Sequence, residues 1–324
     1  MTQVRATLFG EPLPPGGTIG VPAPSGPYFN RSDVLRPREW WEQRGFRVKL
    51  AGGIWDQDDY VAGDSESRAR DLVAMFEDPE VDAIQCLWGG TGAAELLPHI
   101  DFSAIAAHPK AFVGYSDVTA LHVPIRQETG LATLHGPGLG SMGIPERTEF
   151  TFESVLRALT GDGGAGEVPR DPDDPYVRAI APGKATGPIV GGNLWTMQHL
   201  MGTPWEPVFD GCILFFEDVD LPPYQMDGML HQLKLAGKLA AVVGVVVGEL
   251  HRCDWREDRP EAPRTKSVED VLEKHLEPLG VPVLYKLPLG HGKHLATLPL
   301  GVTATLDADK RQLVIEEPAL RPVP

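Results

Sequence analysis

Short apolar runs alternate with amphipathic stretches through the first half of the chain. TIGVPAPSG reads as a strand running into a turn, FRVKLAG as a second strand, and AIQCLW and AFVG as two more. Between the second and third lies ESRARDLVAMFED, where Leu72, Val73 and Phe76 share one helical face and Ser65 is placed to cap the start. Ser32 or Asp33 is expected to cap an earlier helix through Trp41 and Gln43, with Pro37 counting against its first half. SDVTALHVPI after AFVG suits a further helix. Strands alternating with helices in this way predict a mostly parallel, flavodoxin-like sheet with helices on both faces and right-handed crossovers.

The pattern changes at Thr160. TGDGGAGEVPRDPDDPYVRAIAPGK is rich in Gly, Pro and Asp and reads as a linker or surface loop. The predicted organisation is therefore an N-terminal domain over 1–160, a linker over 161–185 and a smaller C-terminal α/β domain of mixed β structure over 186–324. In that second domain GPIVGGNLWTMQHLMG reads as strand, turn and helix, GCILFFED as a strand ending in acids, and MDGMLHQLKLAGKL as an amphipathic helix. AAVVGVVVG reads as a buried parallel strand. SVEDVLEKHLEPLG is a helix capped by Ser267 with Asp270 three residues on, VPVLYKLPLGHG is a strand and loop, and VTATLDADKRQLVIEE is a hairpin turning at Asp307–Lys310.

Composition changes this picture little. With 324 residues, 42% hydrophobic and 23% charged, the chain has the means to bury two cores. A net charge of -16 disfavours a nucleic-acid polymer as partner. The longest apolar run, LAAVVGVVVG, falls short of the roughly 20 residues a membrane-spanning helix needs, and the first residues contain no signal-peptide apolar core. Cys86, Cys212 and Cys253 are odd in number and lack CxxC spacing, which suits free thiols in a reducing compartment.

Four segments have the residue types for chemistry. In AFVGYSDVTAL a strand meets a tight turn bearing Ser116 and then a helix, which would project the hydroxyl from the sheet's C-terminal edge beside free helical N–H groups. Val118 stands where a G-x-S-x-G elbow has its second Gly, and a plain helix cap is the competing account of Ser116. LWGGTG places Gly89, Gly90 and Thr91 between strand and helix, where bare N–H groups can approach a carbonyl; a simple tight turn is the alternative. ILFFED ends a buried strand in Glu217 and Asp218, and PLGHGKHL holds His291 between two glycines. A serine nucleophile needs a base, and the base needs an orienting acid; Ser116, His291 and Glu217 supply the three types. Trp195 and Tyr176 are candidates for a leaving-group pocket, with core packing the alternative for Trp195.

GTIGVPAPSG, GGTGAAELLPHID, FVGYSDVTALH, GPIVGGNLWTMQHLMGTP, ILFFED and GHG, in this order over about residues 17–318, together resemble the LD-carboxypeptidase family, which includes the microcin C immunity peptidases. The resemblance implies a cytoplasmic homodimer without cofactor or metal. It also implies a Ser-Glu-His triad divided between two α/β domains: Ser116 as nucleophile, Glu217 as acid and His291 as base. The backbone N–H groups of Gly90 and Asp117 would receive the oxyanion. Peptidoglycan-trimming members carry Arg before the Gly pair and before the Leu pair, where this chain has Trp88 and Glu95. That departure, the GGNLWTMQHLMGTP segment and ELHRCDWRED favour the immunity branch, which cleaves an amide joining an acidic residue to a modified nucleotide. The expected partner is thus a small aminoacyl-nucleotide or a small peptide, murein tetrapeptide included.

Other classes make weaker claims. Gly138, Gly140 and Gly143 form a GxGxxG, but Pro137 and Pro145 flank it and no clear helix begins there, against a dinucleotide-dependent oxidoreductase. A non-catalytic small-molecule binder on the same fold would have no need of Ser116, Glu217 and His291 together. His251, Cys253 and Asp254 lack the spacing of a metal hydrolase.

Overall fold

The computed structural model describes residues 5–28, 30–161, 163–256 and 266–322. The chain divides into two units. The first runs to Ala165 and takes back Thr297–Gly301 and the segment from Pro318 onward; the second holds Gly166–Ala296 and Val302–Glu317.

The first unit is built on strands β1 (Thr18–Val21), β2 (Arg47–Leu50), β3 (Ala83–Gln85), β4 (Ala111–Gly114) and β5 (Thr133–His135). They lie parallel in the order 2-1-3-4-5, the flavodoxin-like arrangement, and Leu298–Leu300 adds an antiparallel edge beside β5. The strand order reverses between β1 and β3, so the loops leaving these two strands open the crevice where such sheets bind ligands. Helices α1 (Arg31–Gln43), α2 (Ser65–Glu77), α3 (Phe102–Ala107) and α4 (Thr119–Thr129) supply crossovers. The cap of α1 is Asn30, whose side chain accepts from Ser32 N, and Pro37 is accommodated inside the helix. The cap of α2 is Asp64 rather than Ser65, with the carboxylate accepting from Ser67 N. In both cases an Asn or Asp just upstream of the serine takes the N-cap, a position that Asn and Asp favour as strongly as Ser does. The buried face of α2 comprises Arg68, Ala69, Leu72, Met75 and Phe76, with Val73 at its margin.

The second unit contains an eight-stranded mixed sheet. Lys184–Asn193, Ile213–Val219, Gly244–His251 and Val283–Tyr285 form its parallel centre, fully apolar in their middle parts. Thr303–Asp307 and Gln312–Ile315 make the antiparallel hairpin on one side. The tract 161–185, read as a linker, contributes Gly166–Glu167 beside the hairpin and Arg178–Ala181 as the opposite edge, so the sheet absorbs its few strand-forming residues. Its acids are also engaged: Asp173 pairs with Lys293 and His294, and Asp174 with Lys286. Helix Val268–Leu276 begins with the expected capping box of Ser267 and Asp270. Among the described residues no helix is long and apolar enough to cross a membrane.

Candidate active site

In the first unit, β4 is wholly buried and ends at Gly114. Tyr115 is extended, and Ser116 then turns to φ +62°, a left-handed conformation, before the chain enters a 3-10 turn and α4. A non-Gly residue held there costs on the order of 1–3 kcal/mol, and such strain collects at functional sites. Here the strand-to-helix corner is that of a nucleophile elbow, although Val118 replaces its second Gly. The hydroxyl-bearing residue is only part-buried. As a helix cap Ser116 would accept from a helical N–H; the residues before the 3-10 turn and α4 make no side-chain cap bond, and Ser116 sits inside the turn.

The loop after β3 lies directly against this corner. A Cβ on Gly89 would stand 2.8 Å from the Cβ of Ser116 and 3.6 Å from Asp117 N, so no other residue fits without displacement. Gly90 follows at φ +103°, exposed. Asp117 ties the two loops together: its Oδ2 accepts from Ala93 N at 2.8 Å, while its backbone N–H begins the helical turn. Sequence reasoning named Asp117 for its N–H and missed this side-chain role. It also missed Arg68. That guanidinium is 3% exposed and donates to the carbonyls of Pro24, Gly63 and Gly92 and to Glu95 at 2.5 Å. One side chain thereby braces the loops after β1 and β3. Beneath the elbow, His122 Nε2 donates to Gly114 O and its Nδ1 accepts from Thr133 Oγ1, both at 2.9 Å; burial lowers its pKa to about 4 and keeps it neutral.

In the second unit, Glu217 ends the apolar run of Ile213–Val219 and is fully buried. Its Oε2 accepts from His291 Nδ1 at 2.6 Å, which fixes a proton on Nδ1. Burial of an ionised carboxylate is tolerable only when paired, and this hydrogen bond is the pairing. Gly290, at φ +127°, lets the loop pass: a Cβ would sit 2.5 Å from Glu217 Oε2. Glu249 N donates to Leu289 O, pinning the His291 loop to the neighbouring strand. Beside Glu217 lies a second buried carboxylate, Asp218, with a pKa pushed up to about 7, first by burial and then by the Glu217 charge. Asn193 Nδ2 stands 3.3 Å from both Glu217 Oε1 and Asp218 Oδ1. Asn193 closes the GGN segment and was not singled out by sequence. Trp195 donates its backbone N–H to Asp218, and its exposed ring packs edge-on against His199 rather than in the core. Tyr176 is exposed beneath the Arg311 guanidinium.

The other candidate clusters have structural explanations. Gly138 caps a helix of four residues, and Gly140 and Gly143 pack against Tyr28 and the Asp33 backbone. Cys253 is buried, which pushes its thiol pKa upward, and Asp254 accepts from Val268 N.

A serine at a strand-to-helix corner beside a glycine loop on one unit, and an imidazole oriented by a buried carboxylate on the other, are residue types that acyl-transfer hydrolases use. The LD-carboxypeptidase N-terminal domain pattern matches residues 19–136 and the LD-carboxypeptidase C-terminal domain pattern matches 186–306. The chain belongs to the LD-carboxypeptidase family. It is 36% identical over 316 residues to a probable murein peptide carboxypeptidase of Bacillus subtilis, covering 93% of this chain and 92% of the relative. It is 30% identical over 338 residues to the microcin C7 self-immunity protein MccF of Escherichia coli, covering 96% of each. Among solved structures, MccF in complex with glutamyl sulfamoyl guanosine superposes with a TM-score of 0.87 at 28% identity, over 97% of this chain and all of that one. A muramoyltetrapeptide carboxypeptidase from Oxalobacter formigenes gives 0.78 at 27% identity, over 93% and 99%.

Proposed function

We propose that this chain is a serine carboxypeptidase in which Ser116, His291 and Glu217 act as one triad. The observation that carries the reading is the 2.6 Å bond from His291 Nδ1 to a fully buried Glu217, because a carboxylate buried at that cost is best explained as the partner of an imidazolium. Ser116 Oγ attacks the substrate carbonyl as His291 Nε2 takes its proton. The oxyanion accepts from the N–H groups of Gly90 and Asp117, each worth on the order of 3 kcal/mol. His291 then returns the proton to the leaving amine, and water repeats the sequence on the acyl-enzyme. Glu217 holds the tautomer and stabilises the charged ring throughout.

The substrate in this proposal is an aminoacyl-nucleotide amide. Two features support it. Trp88, edge-to-face with Tyr28 at 5.1 Å, gives the first unit an aromatic surface next to Gly89. Glu95 occupies the position of a family cation and is itself paired with Arg68. A second reading, trimming of a murein tetrapeptide, draws on the Bacillus relative. Cytoplasmic residence and a homodimer complete the proposal.

The test is a mass-spectrometric hydrolysis assay of the protein and Ser116→Ala, each offered glutamyl-sulfamoyl adenosine and a murein tetrapeptide. Ser116-dependent release of glutamate supports the first reading, and Ser116-dependent release of D-alanine the second. Cleavage that survives Ser116→Ala sinks the serine mechanism.

A further inference from the structure

Asp218 is 2% exposed, and three N–H groups converge on it. Oδ1 accepts from Val219 N at 2.8 Å and faces Asn193 Nδ2 at 3.3 Å; Oδ2 accepts from Trp195 N at 2.9 Å. A ring of donors suits the ionised form. The same Asn193 amide reaches Oε1 of Glu217, the oxygen that His291 does not use. Asn193 is in turn held by Thr196, whose N and Oγ1 both donate to its Oδ1. Every atom of the Asn193 amide is therefore committed, and Glu217 is fixed from behind by a group that Asp218 helps to orient.

We infer that Asp218 is a positioning residue for the reaction proposed above: through Asn193 it holds Glu217 facing His291, and when ionised it sets a second negative charge behind the imidazolium. The inference rests on the triad reading for its catalytic meaning, but its geometry lies wholly within the second unit. Titratable groups facing Asp218 are Glu217 on its own strand, His291 from the Gly290–Gly292 loop and the buried Cys253 thiol from the turn after Gly244–His251. Asp220, two residues on, is taken up by Arg252 and Arg256. Burial and the Glu217 charge oppose ionisation of Asp218, the donor ring and His291 favour it, and the balance puts its midpoint near 7. Its charge thus changes within the working pH range, where an ordinary Asp is always ionised.

The experiment is an NMR titration of the full chain from pH 5 to 9, reading the Asp218 carboxyl carbon, the His291 ring nitrogens and the low-field His291 Nδ1 proton. The expected result is an Asp218 midpoint near 7, with the His291 ring signals moving at that same pH. Glu217→Gln should lower the Asp218 midpoint, since it removes the adjacent charge. Asp218→Asn should change the pH course of the His291 ring signals and weaken or lose the low-field proton. His291 ring signals and a low-field proton identical in wild type and Asp218→Asn overturn the inference. Should Asp218→Asn fail to fold, Asn193→Ala, which cuts the link between Asp218 and Glu217, is read in its place. Hydrolysis independent of Ser116 would defeat the serine reading while leaving this coupling intact, so the two failures are distinguishable.

Discussion

Gly89 and Ser116 are in direct opposition: a Cβ added to Gly89 would stand 2.8 Å from the Cβ of Ser116 and 3.0 Å from its Oγ. The closeness brings the loop after β3 to the Ser116 corner. Gly89→Ala must push one loop away from the other. An ångström of displacement at a reacting centre costs about 10²-fold, so kcat/KM is expected to fall by about that factor or more. Circular dichroism should remain that of the native fold. Near-wild-type turnover in Gly89→Ala would remove the loop from the catalytic account.

Ser116 sits at φ +62°. Glycine accepts that conformation without strain, although it also raises the entropy of the unfolded chain. The two effects leave Ser116→Gly a net gain of roughly 1 kcal/mol, because the strain is of order 1–3 kcal/mol. Urea denaturation should show the gain, and activity should vanish. A loss of stability would mean that the hydroxyl is a structural cap after all.

Arg68 is buried and bonds three carbonyls and one carboxylate. Lysine keeps the charge but not the planar fork. Arg68→Lys is expected to cost a few kcal/mol in stability, about 1–3 per unsatisfied buried acceptor, and to lower kcat by loosening the loops after β1 and β3. Unchanged urea midpoint and kcat would contradict the bracing role.

The pH dependence of stability carries two opposed contributions. His122, with its pKa lowered to about 4, binds fewer protons folded than unfolded, so its contribution is present above pH 6.5 and lost as pH falls towards 4. Asp218, raised to about 7, binds more protons folded, so its contribution is present below pH 4 and lost as pH rises to 7. Each has a limiting slope of about 1.4 kcal/mol per pH unit. His122→Gln should therefore destabilise less at pH 4.5 than at pH 7, and Asp218→Asn less at pH 7 than at pH 4.5, in urea titrations at the two values. The reverse ordering in either variant would show that its group is not buried in the stated form.

Much of the fold was legible because parallel strands buried on both faces must be apolar runs, as AFVG, ILFF and VVGVVVG are. The helix caps of α1 and α2 lie one to three residues before the expected ones because Asn30 and Asp64 compete with Ser for the same bond. The strand Arg178–Ala181 was hidden because an edge strand of four residues in a Pro- and Asp-rich tract has no periodicity to betray it. At the candidate site, residue type and motif position singled out Ser116, Glu217 and His291, and the structure pairs the last two through His291 Nδ1 and Glu217 Oε2. Arg68, His122 and Asn193 were invisible for a different reason: Pro24, Gly114 and Glu217, which they bond, lie 44, 8 and 24 residues away in sequence, and nothing local distinguishes a buried brace from a surface charge.

The central claim is that Ser116, His291 and Glu217 act as one catalytic unit. The most direct test is the rate constant for hydrolysis of the cleaved substrate by wild type, Ser116→Ala, His291→Ala and the double variant. The account predicts that each single change costs about 10⁴–10⁶-fold in kcat and that the double variant is no slower than the slower single one. A double variant that suffers the product of the two losses would mean that the residues contribute independently, and the triad would be wrong.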